Sequence, residues 1–153
     1  MNSCFLFGHG DSPDSILPLI ENRVEQFYLQ HDVQIFYVGS RGRFDQLAAT
    51  AVKRVKKKYP CIQLILLLAY HPFDQPVVLT EGFDNSFYPP LEAVPKRYAI
   101  VHANRYMLSH ADTVICYVNH GGNTRQLLSM ARKRQEKEGI IVENLGQQQS
   151  PQP

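Results

Sequence analysis

Hydrophobic residues along this chain form short dense runs separated by longer stripes with helical spacing. β-branched and aromatic residues fill residues 33–38, and an almost unbroken aliphatic run covers residues 62–69. Both runs are typical of strands that are buried on two faces. Between them, apolar residues recur every three or four positions from Phe44 to Val55, which predicts an amphipathic helix. The pattern therefore predicts alternating strands and helices.

The same patterns extend the alternation to both ends of the chain. They predict strands over residues 3–8, 33–38, 62–69, 113–118 and 140–144, with helices after the first two strands, over residues 97–110 and beyond residue 122. Such alternation predicts a single Rossmann-like three-layer α/β/α domain over residues 1–145, with a mainly parallel sheet of about five strands. Right-handed crossovers favour the strand order 3-2-1-4-5, with a topological switch point between strands one and four.

Two segments do not follow the alternation. Residues 71–96 contain four prolines before Pro95, turn residues and scattered aromatics, and we interpret them as an ordered loop excursion with a short strand at 77–79. Residues 146–153 are rich in Gln, Pro and Ser and are predicted to be disordered. Aromatic residues of the excursion could form either a self-association patch, giving a homo-oligomer, or a lid: Phe73, Phe83, Phe87 and Tyr88.

Composition adds little to the fold prediction, but it limits the number of domains, the kind of partner and the cellular compartment. With 153 residues and a net charge of +2, the chain has the size of one domain and no charge bias toward an anionic partner. No apolar run reaches the length of about 18 residues that a membrane span requires. Three widely spaced cysteines, Cys4, Cys61 and Cys116, suit small buried thiols in a reducing compartment. We therefore expect a cytoplasmic protein without membrane contact.

Three glycine-bearing loops follow strands whose carboxyl ends should meet near the predicted switch point. They are Gly8-His9-Gly10, Gly39-Ser40-Arg41-Gly42 and His120-Gly121-Gly122-Asn123-Thr124. Glycine lets backbone N–H groups approach a ligand closely. Thr124 is suited to cap the following helix, whose first turn offers free N–H groups and a positive dipole end. These loops predict a phosphate or ribose site at this edge of the sheet.

Charged and titratable side chains in these loops have two interpretations each. Arg41 could contact phosphate or carboxylate through its guanidinium, or form a surface ion pair with Asp45. Asp45 could instead hydrogen-bond a ribose hydroxyl or hold its glycine loop in shape. His9 and His120 could form a facing acid–base pair, or be polar loop residues without chemistry. No ligand spacing indicates a metal site, and no cofactor is predicted.

A cationic strip on the outer face of the second helix raises the question of nucleic-acid binding. No aromatic residues interleave with it as a stacking platform would require, and cations are favoured near a helix C-terminus in any case. A solvated helix face is therefore the preferred interpretation. The strip comprises Lys53, Arg54, Lys56, Lys57 and Lys58.

The order of several short motifs is similar to that of a known group. Gly39-Ser40-Arg41-Gly42 is followed by Asp45, Asn104-Arg105-Tyr106-Met107 precedes Ala111-Asp112, and Gly121-Gly122-Asn123-Thr124 comes last. In this order the chain, from residue 3 to about residue 145, resembles the SLOG superfamily of Rossmann-like proteins, most closely its small bacterial YspA/YpsA-type branch. The resemblance implies binding of nucleotides or nucleotide-derived ligands. Arg105 could then be a phosphate clamp and Tyr106 a base-stacking residue, and the alternative is a solvated arginine and a half-buried tyrosine.

The chain departs from one enzymatic branch of that superfamily. The LONELY GUY phosphoribohydrolases carry P-G-G-x-G-T-x-x-E after strand four, whereas this chain keeps only a G-G-x-T core and has Leu127 or Leu128 at the glutamate position. We therefore expect a protein that binds a nucleotide-like molecule as a sensor or carrier. An enzyme that processes nucleosides or nucleotides, by N-glycosidic hydrolysis or transfer, is the first alternative, and a nucleic-acid-binding module resembling the DNA-processing branch is the second.

Overall fold

The computed structural model describes residues 2–149, with side chains described to residue 147. Strands are β1 (Asn2–Gly8), β2 (Val33–Val38), β3 (Gln63–Leu67), β4 (Asn85–Phe87), β5 (Thr113–Tyr117) and β6 (Ile141–Asn144). Helices are α1 (Leu17–His31), α2 (Arg43–Lys58), α3 (Ala99–His110) and α4 (Asn123–Glu138). Short 3-10 helices cover Asp14–Ile16, Lys96–Tyr98 and Leu145–Gln149.

The strands form one parallel sheet in the order β4-β3-β2-β1-β5-β6. This confirms the predicted α/β class and the predicted order of the five long strands, and it adds a sixth strand at one edge. The extra strand is β4, and residues 77–79 form no strand. Asp84 explains why the strand forms at residues 85–87, because this preceding residue is held against β3. Its backbone N–H donates to the Leu64 carbonyl at 2.9 Å, and its carboxylate accepts the Leu64 N–H at 2.8 Å.

Side chains of β1 point alternately to the two faces of the sheet, so the hydrophobic core has two layers. Cys4 and Leu6 pack with α1 and α2 on one face, whereas Phe5 and Phe7 pack with α3 and α4 on the other. The stripe predicted on α2 is fully buried, as amphipathic spacing requires. The result is a Rossmann-like three-layer arrangement with helices covering both faces of the sheet.

The C-terminal segment folds back onto the sheet instead of leaving it at once. Leu145–Gln149 form a 3-10 helix, and Gly146 is buried against the Val118 carbonyl with no room for a side chain. The amide of Asn144 donates to the Val118 carbonyl and accepts the Val118 N–H, both at 2.9 Å. The tail expected to be disordered therefore begins with ordered structure, and its last residues, 150–153, lie outside the described part of the chain.

Two further expectations concern thiols and membranes. Cys4 and Cys116 are buried, and burial raises the pKa of each thiol to about 12, but Cys61 is exposed, with its sulfur 3.0 Å from the Tyr28 hydroxyl. Within residues 2–149, no helix has the length and apolar content needed to cross a membrane.

Candidate ligand-binding cleft

The loops after β1 and β5 meet where the sheet's crossovers change direction. The chain leaves β1 toward β2 on one side, and it returns from β3 and β4 to β5 on the other. The His9 N–H donates to the Tyr117 carbonyl at 3.3 Å, which joins the two loops directly. Ligands of open α/β sheets bind outside the carboxyl ends of the strands at such a point.

A cleft of about 220 Å³ opens over these strand ends. It is floored by β1 and β3 and walled by the starts of α2 and α4 and by one face of α3. Nine of the residues predicted for the site line it: Gly8, Gly10, Gly39, Ser40, Arg41, Gly42, Asp45, Asn123 and Thr124. Sequence reasoning missed the α3 wall, of Ile100, Ala103 and Asn104. The Asn104-Arg105 motif pointed to this helix, and the residue predicted from it for the site was Arg105.

Arg105 and Tyr106 do not reach the cleft. Arg105 is exposed and lines a smaller cavity of about 80 Å³ between α3 and α4, which adjoins the cleft and shares Asn104 and Asn123 with it. The Tyr106 ring stacks on His110 at a centroid distance of 4.0 Å and packs against Phe87 at 5.8 Å. Since α3 turns these two residues away, Asn104 is the polar residue that this helix contributes to the cleft.

Asp45 organises the loop between β2 and α2. Its carboxylate accepts the Arg41 N–H at 2.9 Å, and burial raises its pKa above the ordinary value of 3.8 against the lowering influence of that N–H and of the Arg41 charge. A methyl group on Gly39 would lie 2.9 Å from Asp45 Oδ2. The guanidinium of Arg41 lies 5.2 Å above the Tyr70 ring, so Arg41 contacts Asp45 through its backbone.

Two other glycines near this loop are required by packing. A Cβ on Gly42 would lie 2.6 Å from the Gly10 Cα, and a Cβ on Gly8 would lie 2.5 Å from Cγ of buried Phe44. The Arg43 N–H donates to the Gly10 carbonyl at 3.0 Å, which fixes this close approach. The loops after β1 and β2 are therefore packed tightly against each other.

The loop between β5 and α4 is open by contrast. A Cβ on Gly121 or Gly122 would meet nothing within 4 Å, and Gly122 has φ +126°, which only glycine adopts without strain. The first turn of α4 has no acidic residue. The backbone N–H groups of Asn123 and Thr124 have no hydrogen-bond acceptor within the part of the chain that the structure describes. This helix start therefore offers unpaired donors and a positive dipole end.

Thr124 is the second residue of α4 and does not cap it, since the N-cap is Gly122. Its hydroxyl lies 3.1 Å from Nδ1 of His9. Nε2 of the same ring accepts the backbone N–H groups of Asn119 and His120, at 3.1 and 3.4 Å. His9 is 4% exposed, and burial, together with the charge of His120, lowers its pKa below 6.5.

His9 and His120 do face each other, as the predicted strand order implied. Their rings stack at a centroid distance of 3.5 Å with planes 9° apart, and His120 Nε2 lies 3.5 Å from Asp11 Oδ1. One ring nitrogen from each histidine and a carboxylate oxygen of Asp11 lie within 4.8 Å of one another. A metal must lie in the plane of each ligating imidazole, which two parallel stacked rings cannot both satisfy. The arrangement does not indicate a metal site.

Most of the cationic strip on α2 is occupied by contacts within the protein. Arg54 pairs with Glu21 at 2.8 Å and Lys58 with Glu25 at 3.5 Å. Lys56 pairs with Asp84, and Lys53 lies 4.8 Å above the Phe83 ring. Three of the five cations are therefore paired with carboxylates, which reduces the positive charge that this face offers to a nucleic-acid backbone.

The excursion lines a cavity beside the cleft, through Gln75, Pro76, Val77 and Val78, and does not line the cleft itself. A second cavity of about 260 Å³ lies beside the cleft and shares Ser40, Arg41, Leu67 and Ala69 with it. Phe73 is 93% exposed, but Phe87 and Tyr88 are half-buried and Phe83 packs against α2. The four aromatics therefore do not form one exposed patch.

Leu127 and Leu128 are both buried, and Leu127 lines the cleft. Asp45 is the one carboxylate among the described residues that line it. No protein-family model matches the chain, and no curated protein is significantly similar to it in sequence.

Proposed function

We propose that the protein binds a nucleotide or nucleotide-derived small molecule in this cleft, as a sensor or carrier in the bacterial cytoplasm. The observation that carries the proposal is the start of α4, where two unpaired N–H groups and the Thr124 hydroxyl lie together at the switch point with no carboxylate in the helix's first turn. Such a helix start favours a phosphate group. Two of the motifs that resemble the SLOG superfamily lie in the loops after β2 and β5, and Asn104 of the third lines the cleft from α3, which supports the same ligand class.

The rest of the ligand has a place in the cleft and in the cavity beside it. The cleft alone is smaller than the range of about 300–1,000 Å³ that small-molecule sites usually span. The adjoining cavity of about 260 Å³ extends it past Arg41 and Tyr70. On this proposal Asp45 accepts a hydrogen bond from a ribose hydroxyl, and Arg41 at the rim offsets the charge of the phosphate.

Thermal shift and native mass spectrometry test the proposal. The purified protein is titrated with inorganic phosphate and with the 5′-monophosphates of adenosine, guanosine, cytidine and uridine. A ligand present at 100 times its Kd should stabilise the folded protein by about 2.7 kcal/mol. Thr124→Val, which keeps the side-chain volume but removes the hydroxyl, should weaken binding of the responding nucleotide about tenfold or more.

Lys57→Ala is the matched control, because it removes an exposed cation on the far end of α2. It should leave the shift unchanged. A panel in which no compound raises the melting temperature, together with no co-purifying mass, would contradict the proposal. Binding that Lys57→Ala weakens steeply and that depends strongly on salt would instead favour the nucleic-acid alternative.

An enzymatic role is the second candidate, and Asp45 favours it. A carboxyl whose pKa is raised by burial, facing a cleft, has the environment of a general acid. The glutamate of the phosphoribohydrolase branch is absent, so such chemistry would need Asp45 in its place. Incubation of the bound nucleotide with the protein, followed by chromatography for free base, decides between the roles. Release of base that Asp45→Asn abolishes would establish the enzyme, and an intact nucleotide would establish the binding protein.

A further inference from the structure

The two ring nitrogens of His9 have different and fully determined roles. Nε2 receives two backbone N–H donors, from Asn119 and His120. An N–H group donates and the ring nitrogen must accept, so Nε2 carries a lone pair and no hydrogen. A neutral imidazole with an unprotonated Nε2 carries its hydrogen on Nδ1. The structure therefore fixes the Nδ1–H tautomer of this buried ring.

The tautomer determines what the Thr124 hydroxyl can do. The Nδ1–H group of His9 must donate to Thr124 Oγ1, at 3.1 Å, so that the hydroxyl oxygen accepts. The hydroxyl's own proton then needs another acceptor. A helical threonine often donates to the carbonyl four residues earlier, but Thr124 makes no bond to the His120 carbonyl, which receives Nε of Arg125 at 3.4 Å. Among the described residues, the Thr124 hydroxyl makes no hydrogen bond besides the one to His9.

We propose that His9 is a positioning residue of the anion site, which turns the Thr124 hydroxyl into a dedicated donor for a phosphate oxygen in the cleft. By accepting from the loop and donating to Thr124, His9 links the position of residues 119–120 to the orientation of one hydroxyl proton. This inference rests on the proposed function for its ligand, a phosphate monoester, but the tautomer on which it depends is a property of the protein alone.

The groups around His9 support a neutral ring. His120 is stacked against it, Tyr117 lies edge-on at 6.3 Å, and Asp11 and Arg125 are the charged groups nearby. Burial is the largest influence lowering the pKa of His9, His120 and Arg125 act in the same direction, and Asp11 opposes them. A proton on Nε2 would point at the N–H groups of Asn119 and His120, and both hydrogen bonds to the ring would be lost. Protonation of Nε2 in acid should therefore loosen the loop at residues 119–120, whereas Nδ1–H can still donate to Thr124.

Long-range ¹H–¹⁵N NMR of the uniformly labelled wild-type protein tests the tautomer without any ligand. A protonated Nδ1 and an unprotonated Nε2 have well-separated nitrogen shifts, and comparison with His9→Gln assigns the signal. We expect the Nδ1–H form at pH 7.5. Detection of the Nε2–H form, or of a mixture of both, would overturn the inference.

Two substitutions separate the two roles of the ring. Glutamine places an amide oxygen near the position of Nε2, so His9→Gln keeps an acceptor for the loop but loses the donor to Thr124. Asparagine places its amide nitrogen near Nδ1, so His9→Asn keeps that donor but loses the loop acceptor. His9→Gln should therefore weaken nucleotide binding about two- to tenfold, and His9→Asn should mainly lower the melting temperature.

A double-mutant cycle by isothermal titration calorimetry completes the test, with adenosine 5′-monophosphate and inorganic phosphate as probes. If His9 acts through Thr124, His9→Gln should have no further effect in the Thr124→Val protein, and Thr124→Ser, which keeps the hydroxyl, should recover affinity that Thr124→Val loses. Additive losses would overturn the inference. Failure of the wild type to bind either probe would contradict the proposed function, while the NMR result would still decide the role of His9.

Discussion

Helices α2 and α4 begin in the same way in sequence, with a glycine loop at the carboxyl edge of a parallel strand, but they present opposite chemistry to the cleft. At α2 the carboxylate of Asp45 lies beside the helix start and takes the Arg41 N–H. At α4 the first turn has no acidic residue, so no carboxylate of its own lies at the helix start. One helix start is already neutralised by its own side chain, and the other is free to bind an anion.

The glycines of the two loops also differ in the space around them. Gly42 is needed because the Gly10 backbone lies where its side chain would be, whereas Gly121 faces open space. A glycine in such a loop therefore has two different explanations, close packing of the chain against itself and close approach of a ligand. Only the surroundings of the missing Cβ distinguish them.

Replacement of each glycine by alanine gives the largest expected contrast. Gly42→Ala should lower the free energy of unfolding by about 1–3 kcal/mol, because its methyl group would overlap backbone that cannot move without separating the two loops. Gly121→Ala should change it by no more than about 0.5 kcal/mol. Urea denaturation of the two variants measures both effects. Equal losses would show that the loop after β5 is packed as tightly as the loop after β2.

A second prediction concerns a substitution that gives α4 a carboxylate in its first turn, as α2 has. Asn123→Asp places a carboxylate in the first turn of α4, where it should stabilise the helix by about 0.3–1 kcal/mol through the dipole. The same charge would occupy the position proposed for phosphate, so affinity for adenosine 5′-monophosphate should fall at least about tenfold. Chemical denaturation and calorimetry measure the two quantities. The control, Gln126→Glu, adds the same charge one turn further into the helix, outside the main cleft.

Opposite signs for stability and affinity are the diagnostic result. A variant that becomes more stable while it loses binding shows that the free donors of α4 are retained for a ligand at a cost to the fold. Unchanged affinity in Asn123→Asp would instead place the anion elsewhere in the cleft. In that case Arg41 at the rim would be the next position to substitute.

The sheet could be predicted from the sequence because each long strand is a dense apolar run and each helix has a clear stripe. The β4 strand could not, because Asn85–Phe87 is short and its pairing depends on Asp84 reaching Leu64 from twenty residues away in sequence. The valines at 77 and 78 have the higher strand propensity, but Val78 is 86% exposed and finds no partner strand. At this edge of the sheet, hydrogen bonding to β3 decided which residues form the strand, and intrinsic strand propensity did not.

Within the site, the sequence indicated which loops meet but not which atoms face the cleft. Arg105 was selected over Asn104 because charge suggested a phosphate contact, and only the rotation of α3 shows that Asn104 points inward. His9 was recognised as a candidate for acid–base chemistry, but its role depends on two N–H donors that come from residues 110 and 111 positions later. Such long-range hydrogen bonds leave no pattern in a single sequence.

The smallest predicted effect concerns the carboxylate at α2 and its dependence on pH. Burial raises the pKa of Asp45 above 3.8, so the folded protein holds this proton more tightly than the unfolded chain does. The stability that the protonated form confers is complete below pH 3.8 and is lost as the pH rises through the folded pKa. Asp45→Asn mimics the protonated form at every pH and can still accept the Arg41 N–H. Its stability relative to the wild type should therefore rise between about pH 3 and pH 7.

Asp84→Asn is the matched control, because Asp84 also accepts a backbone N–H, from Leu64. Its pKa is lowered despite burial, through Lys56 and that N–H, so the stability it confers is present above pH 3.8 and lost in acid. The two variants should diverge in opposite directions as the pH rises in parallel urea titrations. Asp45→Asn should also bind inorganic phosphate at least as tightly as the wild type, because it removes a negative charge from the cleft. Weaker phosphate binding in Asp45→Asn would mean that the two helix starts act together on the anion, and the contrast between them would not hold.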